Sequence, residues 1–118
     1  MKDVRRGGIF LCCFDPTVGH EIQKTRPALV IQNDIGNRYG SVTIVAALTS
    51  SISPVAYPVE VVIEPLASNG LDVRSAIRLD QIRSVDKQRL IRRIGTADVG
   101  TMAKVDEALR ISLGLIEL

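Results

Sequence analysis

The chain has 118 residues, a formal net charge of +2 and 46% hydrophobic residues. This length and composition predict one globular domain over residues 1–118, with a core built mainly from aliphatic side chains. Two Phe, two Tyr and no Trp argue against nucleic-acid recognition through a broad stacking platform. A single histidine and two adjacent cysteines, Cys12 and Cys13, argue against a zinc site, so neither a metal nor another cofactor is expected.

The N-terminal segment combines a basic start with a short apolar run. The run ends at Asp15-Pro16 and has no small-residue cleavage site, so it predicts neither a secretory signal nor a membrane span. We therefore expect a cytoplasmic protein without a membrane partner. Residues 9–14 predict a buried strand because the run is continuously apolar. The polar loop 15–25 follows, and loops of this length in compact domains are often functional.

Further apolar or alternating runs predict strands at 27–32, 41–48, 57–63, 75–82 and 90–94. Turn residues at 33–37 and 68–70 separate some of them, and 85–90 predicts a helical turn or short connector. Apolar residues then recur every three or four positions, which predicts a C-terminal amphipathic helix with Thr96 or Thr101 as its N-cap; the repeat consists of Met102, Val105, Leu109 and Leu113.

This order predicts a mainly β (α+β) fold, a small and partly closed barrel whose helix covers one opening or edge. Basic residues are concentrated after the fourth strand. They form either a solvated face or a patch that follows phosphates; they are Arg74, Arg78, Arg83, Lys87, Arg89, Arg92 and Arg93.

Two polar spots lie at strand ends. Arg26 precedes Pro27 and a strand, and its guanidinium is a fork of donors that matches phosphate geometry. If strands two and three pair, the hydroxyl of Thr49 lies beside it, and the two could bind a phosphate and stabilise its developing charge. From spacing alone, a surface charge and an ordinary turn explain these residues equally well.

A set of longer segments, taken in order along the chain, identifies a protein family more specifically than any of these motifs. It contains PTVGHE at 16–21, TRPALVIQND at 25–34, VAALTS at 45–50, QIRSVDKQRL at 81–90, KVDEAL at 104–109 and SLGL at 112–115. In order and spacing the chain resembles the MazF/PemK family of toxin endoribonucleases. The resemblance implies an SH3-like barrel with a C-terminal helix, assembled as a homodimer. It also implies sequence-specific cleavage of single-stranded RNA, and neutralisation by a cognate antitoxin whose disordered tail folds onto the toxin.

The family's functional arginine and threonine match Arg26 and Thr49, and its loop glutamate matches Glu21. The chain departs from the family pattern at Ile22, where glutamine is usual, and at Lys24, where glycine is usual. These departures leave the arginine–threonine pair intact and put the RNA sequence preference in question.

The implied reaction is attack of a ribose 2′-hydroxyl on the adjacent phosphorus without a metal ion, leaving a 2′,3′-cyclic phosphate. Arg26 would stabilise the phosphoryl charge, Thr49 would position the phosphate, and Glu21 would take the 2′ proton, with His20 as the alternative base. We expect the further RNA contacts to come from Ser50, Ser75, Gln81 and Arg83.

Two other functions compete with the nuclease. Proteins of the same fold poison DNA gyrase by protein–protein contact and do not need the arginine–threonine pair. An inactive relative that only binds a partner is the third possibility. Arg26→Ala separates these classes, because only the nuclease should lose its action while the fold stays intact.

Overall fold

The computed structural model describes residues 3–117. The strands are β1 (Gly8–Cys13), β2 (Thr25–Val30), β3 (Val42–Thr49), β4 (Glu60–Ile63), β5 (Ser75–Asp86) and β6 (Leu90–Thr96). The helices are α1 (Asp34–Tyr39) and α2 (Val99–Ser112), and a 3-10 turn at Lys87–Arg89 joins β5 to β6. The strands form one antiparallel sheet in the order β4-β5-β3-β2-β1-β6. The predicted mainly β fold with a C-terminal helix is confirmed.

The sheet is buried on both faces, which explains why β1 is apolar throughout. Ile9 belongs to a core that α2 covers with Val105 and Ala108. Its neighbours Phe10 and Cys12 belong to a second core on the other face. Successive side chains of a strand point to opposite faces, so a strand between two cores must be apolar at every position.

Two local predictions were wrong. Residues 33–37 begin the helix α1 rather than forming a turn, because Asn33 serves as its N-cap and accepts the Gly36 N–H at 2.8 Å. Asparagine favours turns and helix starts through the same side-chain chemistry, so the sequence did not separate them. The N-cap of α2 is Asp98, which accepts the Thr101 N–H at 2.7 Å, and not Thr96 or Thr101.

The strand β5 extends four residues beyond its predicted end at Ile82, and it contains an irregularity. β3 pairs Ala46 with Ile82 but its next residue, Ala47, with Arg78, so residues 79–81 have no partner on β3. Bulges of this kind bend a strand and re-aim its side chains. The extra residues explain why Gln81 broke the alternation of the sequence pattern.

Candidate functional site

The two polar spots predicted from the sequence lie in one cleft. β2 pairs with β3 through Ala28 and Ala47, and the same register continued by two residues sets Arg26 opposite Thr49. Both residues line a cleft of about 340 Å³ at this end of the sheet. Its apolar lining includes Leu11, Pro27, Leu48, Leu71 and Ile94, and its polar lining includes Thr25, Ser50, Asp72, Ser75 and Arg92.

Arg26 and Thr49 each keep donors for a ligand. The Arg26 Nε donates to the Gln23 carbonyl at 3.0 Å, which fixes the side chain, and its two Nη groups make no hydrogen bond within residues 3–117. The Thr49 hydroxyl accepts the Ser51 N–H at 3.1 Å, so its own proton remains available. A guanidinium end and a hydroxyl proton in one cleft suit an anionic oxygen ligand.

The two predicted serine contacts lie in the same cleft but differ in exposure. Ser50 is exposed at the end of β3, whereas Ser75 is only 4% exposed. The Ser75 hydroxyl donates to the Val73 carbonyl at 3.0 Å and forms part of the wall.

One wall of the cleft depends on a close backbone approach that sequence reasoning missed. Gly70 adopts φ +71°, and a Cβ on Gly95 would lie 2.3 Å from the Asn69 carbonyl carbon. The absence of side chains at both glycines lets the 69–72 segment pack on β6. This packing brings Leu71 and Asp72 into the cleft, and no local sequence signal pointed to Asp72.

The other three predicted residues line a separate pocket of about 160 Å³ under the β1–β2 loop. Gln81 donates to the His20 carbonyl and accepts the Ile22 N–H, both at 3.4 Å. Arg83 donates to the Phe14 carbonyl at 2.6 Å. Glu21 turns back into its own loop, where its carboxylate accepts the Val18 N–H at 2.6 Å. The predicted site residues therefore fall into two groups, with Arg26, Thr49, Ser50 and Ser75 in the cleft and Glu21, Gln81 and Arg83 in the loop pocket.

The loop reaches β2 through a strained residue. Lys24 has φ +70°, a left-handed conformation that favours glycine. Its N–H donates to the Asp15 carboxylate at 2.9 Å, and its carbonyl accepts the Phe14 N–H at 3.0 Å. These two bonds hold the conformation at the position where the sequence departs from the family glycine.

The adjacent cysteines are both free thiols and lie in different environments, as the strand geometry predicts. Burial raises the pKa of the Cys12 thiol to about 11, and the neighbouring Cys13 adds to the shift. A thiol that stays protonated at neutral pH is a poor nucleophile, so Cys12 belongs to the core and not to a reactive site.

Residues 3–117 show neither a metal-binding cluster nor a membrane-spanning helix. No group of three or more His, Cys, Asp or Glu side chains there could hold a metal ion. No helix in that range is long and apolar enough to cross a membrane.

The fold and the cleft together define a small antiparallel β protein with an arginine and a threonine hydroxyl in one cleft at an end of its sheet. The chain belongs to the PemK-like, MazF-like toxins of type II toxin–antitoxin systems, whose family model matches residues 5–113. It is 47% identical over 114 residues to Endoribonuclease EndoA of Bacillus subtilis (strain 168), covering 97% of each chain. It is 43% identical over 112 residues to Endoribonuclease MazF of Staphylococcus epidermidis, covering 95% of this chain and 92% of that one. A solved MazE–MazF structure from Deinococcus radiodurans superposes with a TM-score of 0.73 at 27% identity, covering 96% of this chain and 97% of that chain.

Proposed function

We propose that this toxin is a sequence-specific endoribonuclease that cleaves single-stranded RNA, messenger RNA included, without a metal ion. The observation that carries the proposal is the cleft that Arg26 and Thr49 share across β2 and β3. The similarity to two proteins named endoribonucleases, over nearly the whole chain, supports the same activity. Its substrate places its action in the cytoplasm.

The reaction is attack of a ribose 2′-hydroxyl on the adjacent phosphorus. The 2′ oxygen forms a bond to phosphorus, and the 5′ oxygen leaves with the bonding electrons and takes a proton from water. The products are a 2′,3′-cyclic phosphate and a 5′-hydroxyl. Arg26 stabilises the charge that grows on the phosphoryl oxygens, because its free Nη groups are already positioned. Thr49 orients the phosphate through its hydroxyl proton. DNA lacks the nucleophile and is not cut.

Glu21 takes the 2′ proton in this proposal. Its carboxylate faces its own loop in the structure, so the role requires the loop to move Glu21 to the cleft when RNA binds. His20, exposed in the same loop, is the alternative base. Glu21→Gln and His20→Gln separate the two, because only loss of the true base removes the acidic limb of the pH–rate profile. Ser50 adds an RNA contact from the exposed end of β3, and Ser75 contributes through the wall of the cleft. Gln81 and Arg83 serve RNA binding indirectly, by holding the loop.

The direct test is cleavage of a long single-stranded RNA in excess EDTA, with DNA of the same sequence beside it. Arg26→Ala should slow cleavage by about 10²–10³-fold, the usual effect of losing one preorganised charge-stabilising donor. Arg110→Ala is the matched control, because Arg110 lies on the solvent-exposed side of α2 and its side chain pairs, within residues 3–117, with Glu107 alone. Mapping the ends of discrete cuts gives the preferred sequence.

Each outcome decides between the functional classes. RNA-only cuts that vanish in Arg26→Ala and persist in Arg110→Ala support the nuclease. RNA left intact by a folded protein that still arrests growth removes the nuclease and directs the search to DNA gyrase, where inhibition of supercoiling is measured. Cleavage that stops with EDTA and returns with Mg²⁺ contradicts the metal-free reaction.

We further propose a homodimer that a cognate antitoxin neutralises. An exposed apolar face on α1 and the start of β3 supports the dimer, with Ile35 76%, Tyr39 77% and Val42 42% exposed. Tyr39→Glu should shift sedimentation from dimer to monomer, because it places a charge in that face. The likeness to a MazE–MazF structure supports the antitoxin, and co-expression with the cognate antitoxin should restore growth that the toxin arrests.

A further inference from the structure

The basic stretch between β4 and α2 is not a uniform patch. Six of its seven basic side chains are held within the protein, by carboxylates, backbone carbonyls or a hydroxyl. The partners are Glu64 for Arg74, Asp80 for Arg78, the Phe14 carbonyl for Arg83, the Asn37 carbonyl for Lys87, the Cys13 and Asp15 carbonyls for Arg89, and Thr96 for Arg93. These contacts position loops and strands and leave little capacity for a ligand.

Arg92 is the exception. Its side chain makes no hydrogen bond and no ion pair within residues 3–117, it is exposed, and it lines the cleft that holds Arg26 and Thr49. An arginine keeps its charge at any physiological pH and presents five donors, so it is the chain's readiest additional site for a phosphate.

Arg92 enters the cleft from β6, on the face that carries Pro27, whereas Arg26 points to the other face and lines the same cleft at the end of the sheet. Leu11 of β1 lies opposite Arg92 on one side and opposite Pro27, the neighbour of Arg26, on the other. Residues opposite each other across strands share a face, and two strand spacings put the Arg92 and Pro27 backbones about 10 Å apart. Arg93 is not among the residues that line the cleft, and its side chain binds Thr96 instead.

Arg92 also offsets the carboxylate of the cleft. Asp72 is the one acidic residue among those lining it, and it forms no ion pair there within the described range. A bound polyanion would meet this negative charge beside Arg26. A second guanidinium keeps the cleft net positive, which favours entry of an RNA strand.

We propose that Arg92 is a second phosphate-binding residue of the cleft, which holds a phosphate flanking the scissile one. The inference rests on the proposed function and assigns this role to a residue that the sequence analysis placed only in the basic stretch. Because Arg92 binds a phosphate that does not react, its contact is equally strong before and during the reaction. Such uniform binding lowers KM and leaves kcat unchanged.

The test compares Arg92→Gln with its neighbour Arg93→Gln, which removes the same charge from outside the cleft. Cleavage of the mapped RNA gives kcat and KM, and anisotropy of a labelled 2′-O-methyl RNA spanning that sequence gives binding without turnover. Arg92→Gln should raise KM about tenfold at unchanged kcat, the usual effect of one charge-assisted hydrogen bond. A plot of the logarithm of the RNA-binding constant against the logarithm of the salt concentration should become less steep by about 0.7, the contribution of one phosphate contact on a single strand. Arg93→Gln should leave the KM and the salt dependence near their wild-type values.

The outcomes separate this proposal from the nuclease itself. If wild type cleaves RNA and the two variants behave alike, Arg92 has no special role although the nuclease stands. If Arg92→Gln lowers kcat instead of raising KM, the residue acts on the scissile phosphate and the flanking assignment is wrong. If wild type neither binds nor cleaves RNA, both proposals are overturned together. Asp72→Asn should tighten RNA binding, and weaker binding would contradict the charge argument.

Discussion

Replacing Lys24 by glycine should stabilise the protein, although it deletes a whole side chain. Lys24 holds φ +70°, and the left-handed conformation costs an L-residue about 1–2 kcal/mol relative to glycine. Glycine also increases the entropy of the unfolded chain, which lowers the free energy of unfolding by about 0.5–1 kcal/mol. The difference predicts a gain of about 0.5–1 kcal/mol. For a chain of this size, that gain raises the Tm by about 2–4 °C.

Two matched variants isolate the backbone from the charge. Lys24→Ala removes the ammonium and keeps the strained conformation, so its Tm should stay near that of wild type. Gly19→Ala reverses the change in the same loop, because Gly19 has φ +59° and a Cβ there would touch nothing within 4 Å. Gly19→Ala should lower the free energy of unfolding by about as much as Lys24→Gly raises it.

The measurement is thermal unfolding followed by circular dichroism at one fixed protein concentration, since the Tm of the proposed homodimer would depend on concentration. Equal gains in Lys24→Gly and Lys24→Ala would show that the charge, and not the backbone, is unfavourable. A Lys24→Gly protein no more stable than wild type would refute the strain argument.

Three further predictions concern the core and the first helix. Asn37→Ala should cost about 3 kcal/mol in urea unfolding, because it leaves the buried Thr43 hydroxyl without its 2.6 Å acceptor; a loss below 1 kcal/mol would contradict this. The Arg6 backbone N–H, donating to Asp34 at 2.7 Å, holds the pKa of that carboxyl below its ordinary value. The stabilisation that ionised Asp34 gives the folded protein is therefore present above about pH 4 and is lost as the pH falls through the lowered pKa. Asp34→Asn should have a lower Tm than wild type at neutral pH, and this difference should shrink in acid. Because burial raises the pKa of Cys12 to about 11, iodoacetamide at pH 8 should label it only after unfolding, and labelling in the native protein would refute its burial.

The central strands could be predicted because burial on both faces leaves a plain sequence signal. The continuous apolar run of β1 identifies that strand directly, whereas β2 begins at Thr25, two residues before its predicted start at Pro27. The helix α1 could not be predicted. It has six residues, too few for an apolar period, and asparagine at its start serves turns equally well.

The candidate site could likewise be predicted only in part. Arg26 and Thr49 could be placed together because one assumption, the pairing of strands two and three, sets their register. The wall that carries Asp72 could not be predicted, because it depends on the contact between Gly95 and Asn69, far apart in sequence. The direction of Glu21 could not be predicted either, since adjacency in a motif does not determine where a loop side chain points.

The attachment of the β1–β2 loop bears on how such toxins diversify. Gln81, Arg83 and Arg89 hold the loop through its main chain, at the carbonyls of residues 13, 14, 15 and 20 and the amide of residue 22. Every amino acid provides that carbonyl, and every one except proline provides the amide. Mutations can therefore exchange the outward side chains of the loop while its path is retained, so new sequence preferences can evolve without rebuilding the scaffold.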